Sequence, residues 1–153
     1  GQKHTKEIEC SRKIAEYYGV EHIYLDLAKI FEYSDCSLLE HSDREIPKES
    51  YAEQIEKGDG KPVSTYVPFR NGLFLSSAAS IALSKDCDVI YYGAHSGDAA
   101  GNAYPDCSDA FNKAMGDAIY IGSGNQLRIE APFVNMTKAE VVKTGLALKF
   151  LMS

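Results

Sequence analysis

Residues 71–92 constrain the fold more than any other stretch. From Asn71 to Lys85 the apolar residues Leu73, Phe74, Leu75, Ala78, Ala79, Ile81, Ala82 and Leu83 spread around much of a helical circumference, which predicts a largely buried helix. Asp88–Tyr92 follows as a short hydrophobic run, the pattern of a buried strand. A buried helix leading into a buried strand belongs to a sheet covered by helices, and the rest of the chain repeats the alternation. Thr5–Tyr18 reads as a helix with Thr5 as N-cap, Ile8, Ile14, Ala15 and Tyr18 on one face, and Gly19 as its stop. His22–Leu27 reads as a short strand, Asp109–Asp117 as a helix with an apolar continuation over Ala118–Ile121, and Gly122–Asn125 as a turn. Leu127–Pro132 reads as the last strand, ended by its proline. Ala28–Lys61 is polar and reads as a long loop holding a short helix around Tyr51–Glu56. This order implies one α/β domain over residues 1–153, a Rossmann-like, doubly wound fold with a mainly parallel sheet. A helix at residue 5 stands where its opening strand is expected.

Charge and cysteine usage narrow the functional classes. The formal net charge of −6, with no run of five like charges, gives no footprint for a phosphate backbone, so the expected partner is a small molecule and not a nucleic acid. No apolar stretch reaches the length that spans a bilayer, and the first residues lack a signal-peptide core. Cys10, Cys36, Cys87 and Cys107 contain no C-x-x-C pair. Reduced thiols, no membrane association and a cytoplasmic setting are the expectation.

In an open α/β sheet, ligands bind outside the carboxyl ends of the strands. Here the strand at Asp88–Tyr92 empties into Gly93-Ala94-His95-Ser96-Gly97-Asp98-Ala99-Ala100-Gly101-Asn102-Ala103-Tyr104-Pro105-Asp106-Cys107. Gly93 lets a ligand approach the main chain. Asp98 and Asp106 supply carboxylates, His95 a group titrating near neutrality, and Tyr104 a flat, hydrogen-bonding face, a set suited to a polar heterocycle. The same residues also suit a surface turn. Under either reading, replacing Asp106 by Asn is expected to change stability little.

Two further positions suit an anion. Arg70 and Asn71 stand at the entrance of the 71–85 helix, where free N–H groups and the dipole favour negative charge and an arginine can grip a carboxylate or phosphate in a fork. Thr137 and Glu140 form a capping box at the start of a helix running to about Leu148. Lys138 lies between them, in the first turn where a cation works against the dipole, and a nearby anion accounts for it.

Gly93, Asp98, Gly101 and Tyr104-Pro105-Asp106-Cys107, with Ser64-Thr65-Tyr66-Val67-Pro68-Phe69-Arg70-Asn71, Phe74-Leu75-Ser76, Ala131-Pro132-Phe133 and Thr137-Lys138-Ala139-Glu140, resemble the QueC or ExsB family of queuosine biosynthesis, the 7-cyano-7-deazaguanine synthases. Gln2 and His4 match that family's Q-x-H. The resemblance is weak over residues 28–60, and the P-F-x-x-x-x-K-x-E pattern is shared with PP-loop ATP pyrophosphatases in general. It implies an adenine nucleotide alpha-hydrolase-like fold and conversion of 7-carboxy-7-deazaguanine to the nitrile with ammonia, ATP and Mg²⁺. It also implies Arg70 and Lys138 as catalytic anion contacts, and Asn71, Asp98, Tyr104 and Asp106 as substrate-binding residues, the two aspartates either on the guanine-like edge or, alternatively, on Mg²⁺. Gln2, His4 and Gly93 are implied on the nucleotide, and a homodimer as the assembly.

The sequence departs from the family pattern at both ends. The S-G-G-x-D-S loop and the four cysteines that bind zinc in the family are absent from these 153 residues, and neither Cys87 nor Cys107 can stand in for that cluster by spacing. The fold is therefore expected to be incomplete at both ends, and this polypeptide alone to be catalytically silent. An NAD synthetase-like or tRNA sulfur-transfer enzyme, and a non-catalytic binding module, stay open on the residues.

Overall fold

The computed structural model describes residues 6–49, 53, 54, 56 and 61–148. They form two compact units. One comprises the described residues within Gly1–Lys48 together with Ser64–Pro68, the other those within Glu49–Val63 and Phe69–Ser153.

The first unit opens with helix α1 (Lys6–Tyr18). Glu9 and Lys13, one turn apart, pair at 2.6 Å on its exposed surface. The helix ends as expected at Gly19, whose φ of 63° only a residue without a Cβ adopts cheaply. The Gly19 N–H donates to the Glu16 carbonyl and the Val20 N–H to that of Ala15, the pair of bonds of a Schellman stop. Thr5, the expected N-cap, lies outside the described residues. Of the four residues expected on the inner face only Ala15 is buried.

His22–Leu27 is not a strand. The segment has no regular structure, and Ile23, Tyr24 and Leu25 are exposed. An apolar run becomes a strand only where a neighbour pairs its main-chain groups, and among the described residues none pairs this one. The expected loop from Ala28 is more ordered than its polarity suggests. A 3₁₀ turn at Ala28–Phe31 leads to a small core of Cys36, Leu39 and Val67, flanked by Phe31 and Leu38. The Ser37 N–H and hydroxyl both donate to the Ser64 carbonyl. Of the short helix expected around 51–56, Glu53, Gln54 and Glu56 are helical and the remainder lies outside the described residues.

The second unit is an α/β assembly around a parallel sheet. Strands β1 (Val89–Tyr91) and β2 (Arg128–Glu130) pair in parallel, Val89 opposite Arg128 and Tyr91 opposite Glu130. Parallel neighbours require a crossover. Here it contains the four-residue helix α3 (Ser96–Ala99) and the longer α4 (Asp109–Gly122). Helix α2 (Arg70–Ser84) packs on β1 and on α4, which packs on β2. The core is one contact cluster: Leu75, Ala79 and Ala82 from α2, Phe111, Met115 and Ile119 from α4, Ile90 and Tyr92 from the β1 segment, and Leu127 and Ile129 from the β2 segment. Both helices use spacings of three and four residues, which line one stripe. Helix α2 is therefore buried along a stripe and not all round, and Phe74 and Leu83 are exposed. Helix α4 absorbs the apolar continuation at Ala118–Ile121 because Ile119 reaches that core. Ser108 caps its start, accepting from the Phe111 N–H at 3.1 Å. The turn after it is closed by Ser123, whose hydroxyl accepts from the amides of Gln126 and Leu127.

Helix α5 (Lys138–Ala147) carries the expected capping box. The Thr137 hydroxyl accepts from the Glu140 N–H, and the Glu140 carboxylate accepts from the Thr137 N–H at 2.7 Å and its hydroxyl at 2.8 Å. These bonds hold the Glu140 carboxyl below the usual carboxylate range. No helix among the described residues is long and apolar enough to cross a membrane.

Candidate functional site

The segment from Gly93 to Cys107, at the carboxyl end of β1, is fastened to the starts of two helices. Helix α2 begins without a cap of its own. Phe69 precedes it with φ 54° and ψ 26°, and its side chain makes no cap hydrogen bond. Asp106 supplies the missing acceptor from 35 positions further on, where its Oδ2 takes the Asn71 N–H at 2.8 Å. The Asn71 Nδ2 donates in return to the Asp106 carbonyl at 3.2 Å and to the Cys107 Sγ at 3.1 Å. A carboxylate on a free helical N–H combines a charge-assisted hydrogen bond with the helix dipole.

The second fastening is to the segment before α5. Ser96 donates through its N–H at 2.9 Å and its hydroxyl at 2.8 Å to the Met136 carbonyl. Thr137 and Lys138 follow directly, so the first turns of α2 and α5 are both anchored to one loop. Arg70 is the first residue of α2 and Lys138 the first of α5. Each of these two helices thus starts on a cationic residue beside the same loop.

Within the loop, Asp98 is about a third exposed, with its Oδ2 3.4 Å from the His95 Nε2. The His95 Nδ1 is buried and has no hydrogen-bond partner among the described residues. Gly97 packs over it, where an added Cβ would stand 3.3 Å from that nitrogen. The Tyr104 N–H donates to the Asp98 carbonyl at 3.0 Å, and the Ala103 carbonyl accepts from the Val63 N–H. Gly93 is exposed, and a Cβ built on it would meet no atom within 4 Å. Packing among the described residues therefore does not demand a glycine there.

The inner wall is polar and closed. Asp106 is only 3% exposed, and Cys107 and Tyr104 are buried too. The Tyr92 hydroxyl donates to the Asp106 carbonyl at 2.8 Å. Burial pushes the Cys107 thiol up to about 11, helped by the charges of Asp98 and Asp106 and opposed by its side-chain hydrogen bonding with Tyr92 and Asn71. Burial also raises the Tyr92 phenol, with Cys107 and Asp106 adding and the Arg70 charge opposing. Both groups are protonated at neutral pH.

A family model described as "Queuosine biosynthesis protein QueC" matches residues 1–153. The chain belongs to the QueC family. Among the curated relatives of QueC type, the "7-cyano-7-deazaguanine synthase" of Hahella chejuensis is 37% identical over 148 residues, covering 97% of this chain and 60% of its own length. The protein of the same name from Archaeoglobus fulgidus is 37% identical over 149 residues, covering 97% and 59%. The one from Porphyromonas gingivalis strain W83 is 39% identical over 149 residues, covering 97% and 64%. The chain thus spans about three fifths of the length of the QueC relatives it matches.

Of the residues singled out from sequence, the structure brings Arg70, Asn71, Gly93, Asp98, Tyr104, Asp106 and the first turn at Lys138 to one loop and its two anchors. Gln2 and His4 lie outside the described residues. Asp106 is not the surface residue that a turn reading expects, for it is buried on the Asn71 N–H. A buried carboxylate on a helical N–H is structural whatever else it does. Sequence reasoning passed over Tyr92, Ser96 and the Met136 carbonyl. The one available signal was that Tyr92 is a hydroxyl-bearing residue at the end of an apolar strand, and a buried phenol needs a partner.

Proposed function

We propose that the QueC protein containing this chain is a 7-cyano-7-deazaguanine synthase that converts 7-carboxy-7-deazaguanine and ammonia to the nitrile, with ATP activating the carboxylate. The observation carrying this is the double anchoring of the 93–107 loop to the starts of α2 and α5. An ATP-dependent activation of a carboxylate needs fixed positive charge where phosphoryl charge develops, and the two helix starts bear Arg70 and Lys138. Arg70, with its planar fork, suits a carboxylate or phosphate, and Lys138 suits a phosphate as a point charge. The open space in front of Gly93 admits the nucleotide to the main chain.

Asp98 is the carboxylate available to a ligand, since that of Asp106 is engaged with Asn71. It can accept from the N–H edge of the guanine-like ring or take part in holding Mg²⁺. A Mg²⁺ that arrives on nucleotide phosphates needs only one or two protein carboxylates, so Asp98 fits it. Among the described residues no three His, Cys, Asp or Glu side chains are grouped for a metal. They do not fit the family's zinc. Tyr104 and Asp106 serve the substrate by fixing the shape of the loop that carries Asp98.

The test is to incubate the full-length protein with 7-carboxy-7-deazaguanine, ammonia and ATP, and to follow the nitrile by mass together with AMP. Formation of the nitrile with AMP release is expected. Absence of the product, or preference for nicotinic acid adenine dinucleotide over the deazaguanine, would overturn the reading.

A further inference from the structure

Two segments, the start of α2 and the end of β1, meet on Asp106. Its carboxylate holds the Asn71 N–H, while its carbonyl accepts from both the Tyr92 hydroxyl and the Asn71 Nδ2. Tyr92 stands directly after β1, its ring against the core shared by α2 and α4. The phenol is thus fixed at its base by the sheet and at its tip by the loop. A phenylalanine would fill the same space in that core, so packing alone does not account for the hydroxyl. A buried hydroxyl is costly unless it is bonded, and here it is bonded to the residue that caps α2.

We infer that Tyr92 is a positioning residue for Arg70: its O–H fixes the Asp106 main chain, and the Asp106 carboxylate then fixes the first turn of α2 that carries the guanidinium. The chain of contacts is short. Tyr92 O–H holds the Asp106 carbonyl, Asp106 Oδ2 holds the Asn71 N–H, and Asn71 is the neighbour of Arg70. The strand end is the fixed point, because its main chain lies in the ladder and the Tyr92 N–H donates to the Glu130 carbonyl at 2.9 Å. The phenol is protonated at neutral pH, so the donor is present wherever the enzyme works. A catalytic cation displaced by about 1 Å can lose about a hundredfold in rate, which gives such a clamp its leverage.

This inference rests on the synthase reading for its catalytic consequence, and its structural half is measured independently. The experiment uses the full-length protein with Tyr92→Phe, Arg70→Lys and the double variant. Exchange of backbone amides over 69–76 is followed alongside steady-state kinetics with the carboxylate substrate varied. In Tyr92→Phe we expect faster exchange at Asn71, a thermal midpoint close to the parent's, and a drop in kcat/KM of about tenfold. In the Arg70→Lys background, adding Tyr92→Phe should cost less than about twofold, because a residue acting through Arg70 has nothing left to position. Unchanged exchange at Asn71 overturns the clamp. Faster exchange with kcat/KM within twofold of the parent, or a tenfold loss that repeats in the Arg70→Lys background, overturns the positioning role. If the parent forms no nitrile, the synthase reading fails on its own, and the exchange measurement still decides the clamp.

Discussion

Replacing Asp106 by Asn should destabilise the protein by about 1–2 kcal/mol. The side chain keeps its shape, so the loss is electrostatic. A hydrogen bond to a charged group contributes about 1.5–3 kcal/mol and a neutral one about 0.5–1.5, so neutralising the acceptor of the 2.8 Å bond to the Asn71 N–H removes about 1–1.5 kcal/mol. The positive end of α2 adds about 0.3–1 kcal/mol for a negative charge at that position. Against this, a carboxylate at 3% exposure is costly to bury, and the amide recovers part of that. Asp106→Ala goes further, because it leaves the N–H without its acceptor, and about 2–3 kcal/mol is expected. Urea unfolding of the full-length protein measures both, with the exposed Asp117→Asn on α4 as a control expected within about 0.5 kcal/mol of the parent. If Asp106→Asn lies as close to the parent as that control does, the carboxylate does not cap α2.

Gly72 faces the Phe69 ring so closely that an added Cβ would collide with it; Gly72→Ala should therefore cost about 1–3 kcal/mol. In a Phe69→Gly background, which removes the ring, that cost should vanish in the same unfolding assay. Gly93→Ala meets no neighbour, so stability should stay within about 0.5 kcal/mol, while ATP binding, read by equilibrium titration, should weaken about tenfold if the nucleotide approaches that main chain. Cys107 and Tyr92 both bind their protons more tightly folded than unfolded. Stability is then unaffected by them below the unfolded-state pKa. From the ordinary thiol value of 9.0 towards about 11 it falls, because the unfolded chain ionises first. Unfolding midpoints across that range should decline less steeply in Tyr92→Phe, and an identical slope would contradict the buried, protonated pair.

Local signals predicted the elements that satisfy themselves. The α5 capping box needs only Thr137 and Glu140, and the α1 stop needs only Gly19, so both were legible in the sequence. The stripes of α2 and α4 were legible as apolar, but which residues stay outside depends on the neighbour each helix meets. His22–Leu27 failed as a strand because pairing is a property of two segments, and an apolar run reports only one. The candidate site residues stood out as a set because they cluster in the 64–71, 93–107 and 137–140 stretches. Their tasks were not legible. Asp106 looked exposed because turn residues usually are, and nothing local shows that the start of α2, 35 positions earlier, lacks its own cap. The Ser96 bond to the Met136 carbonyl escapes any pattern for the same reason, since main-chain acceptors carry no sequence signal.

The borrowed cap of α2 also sets an order of events during folding. A helix capped by its preceding residue can finish its first turn as soon as it forms. Here the acceptor lies 35 residues downstream, so the turn is completed only after a loop of that size has closed, at an entropic cost of about 3 kcal/mol. Translation delivers α2 before Asp106, and the nascent helix waits with its first amides facing water. A contact made that late is absent from the transition state, so its loss speeds unfolding and leaves refolding nearly unchanged. Asp106→Asn should therefore show in the unfolding limb of the kinetics, and equal slowing of refolding would place the closure early instead. The amino end of α2, with Arg70 on it, thus completes its first turn only once residues 71–106 have closed on themselves.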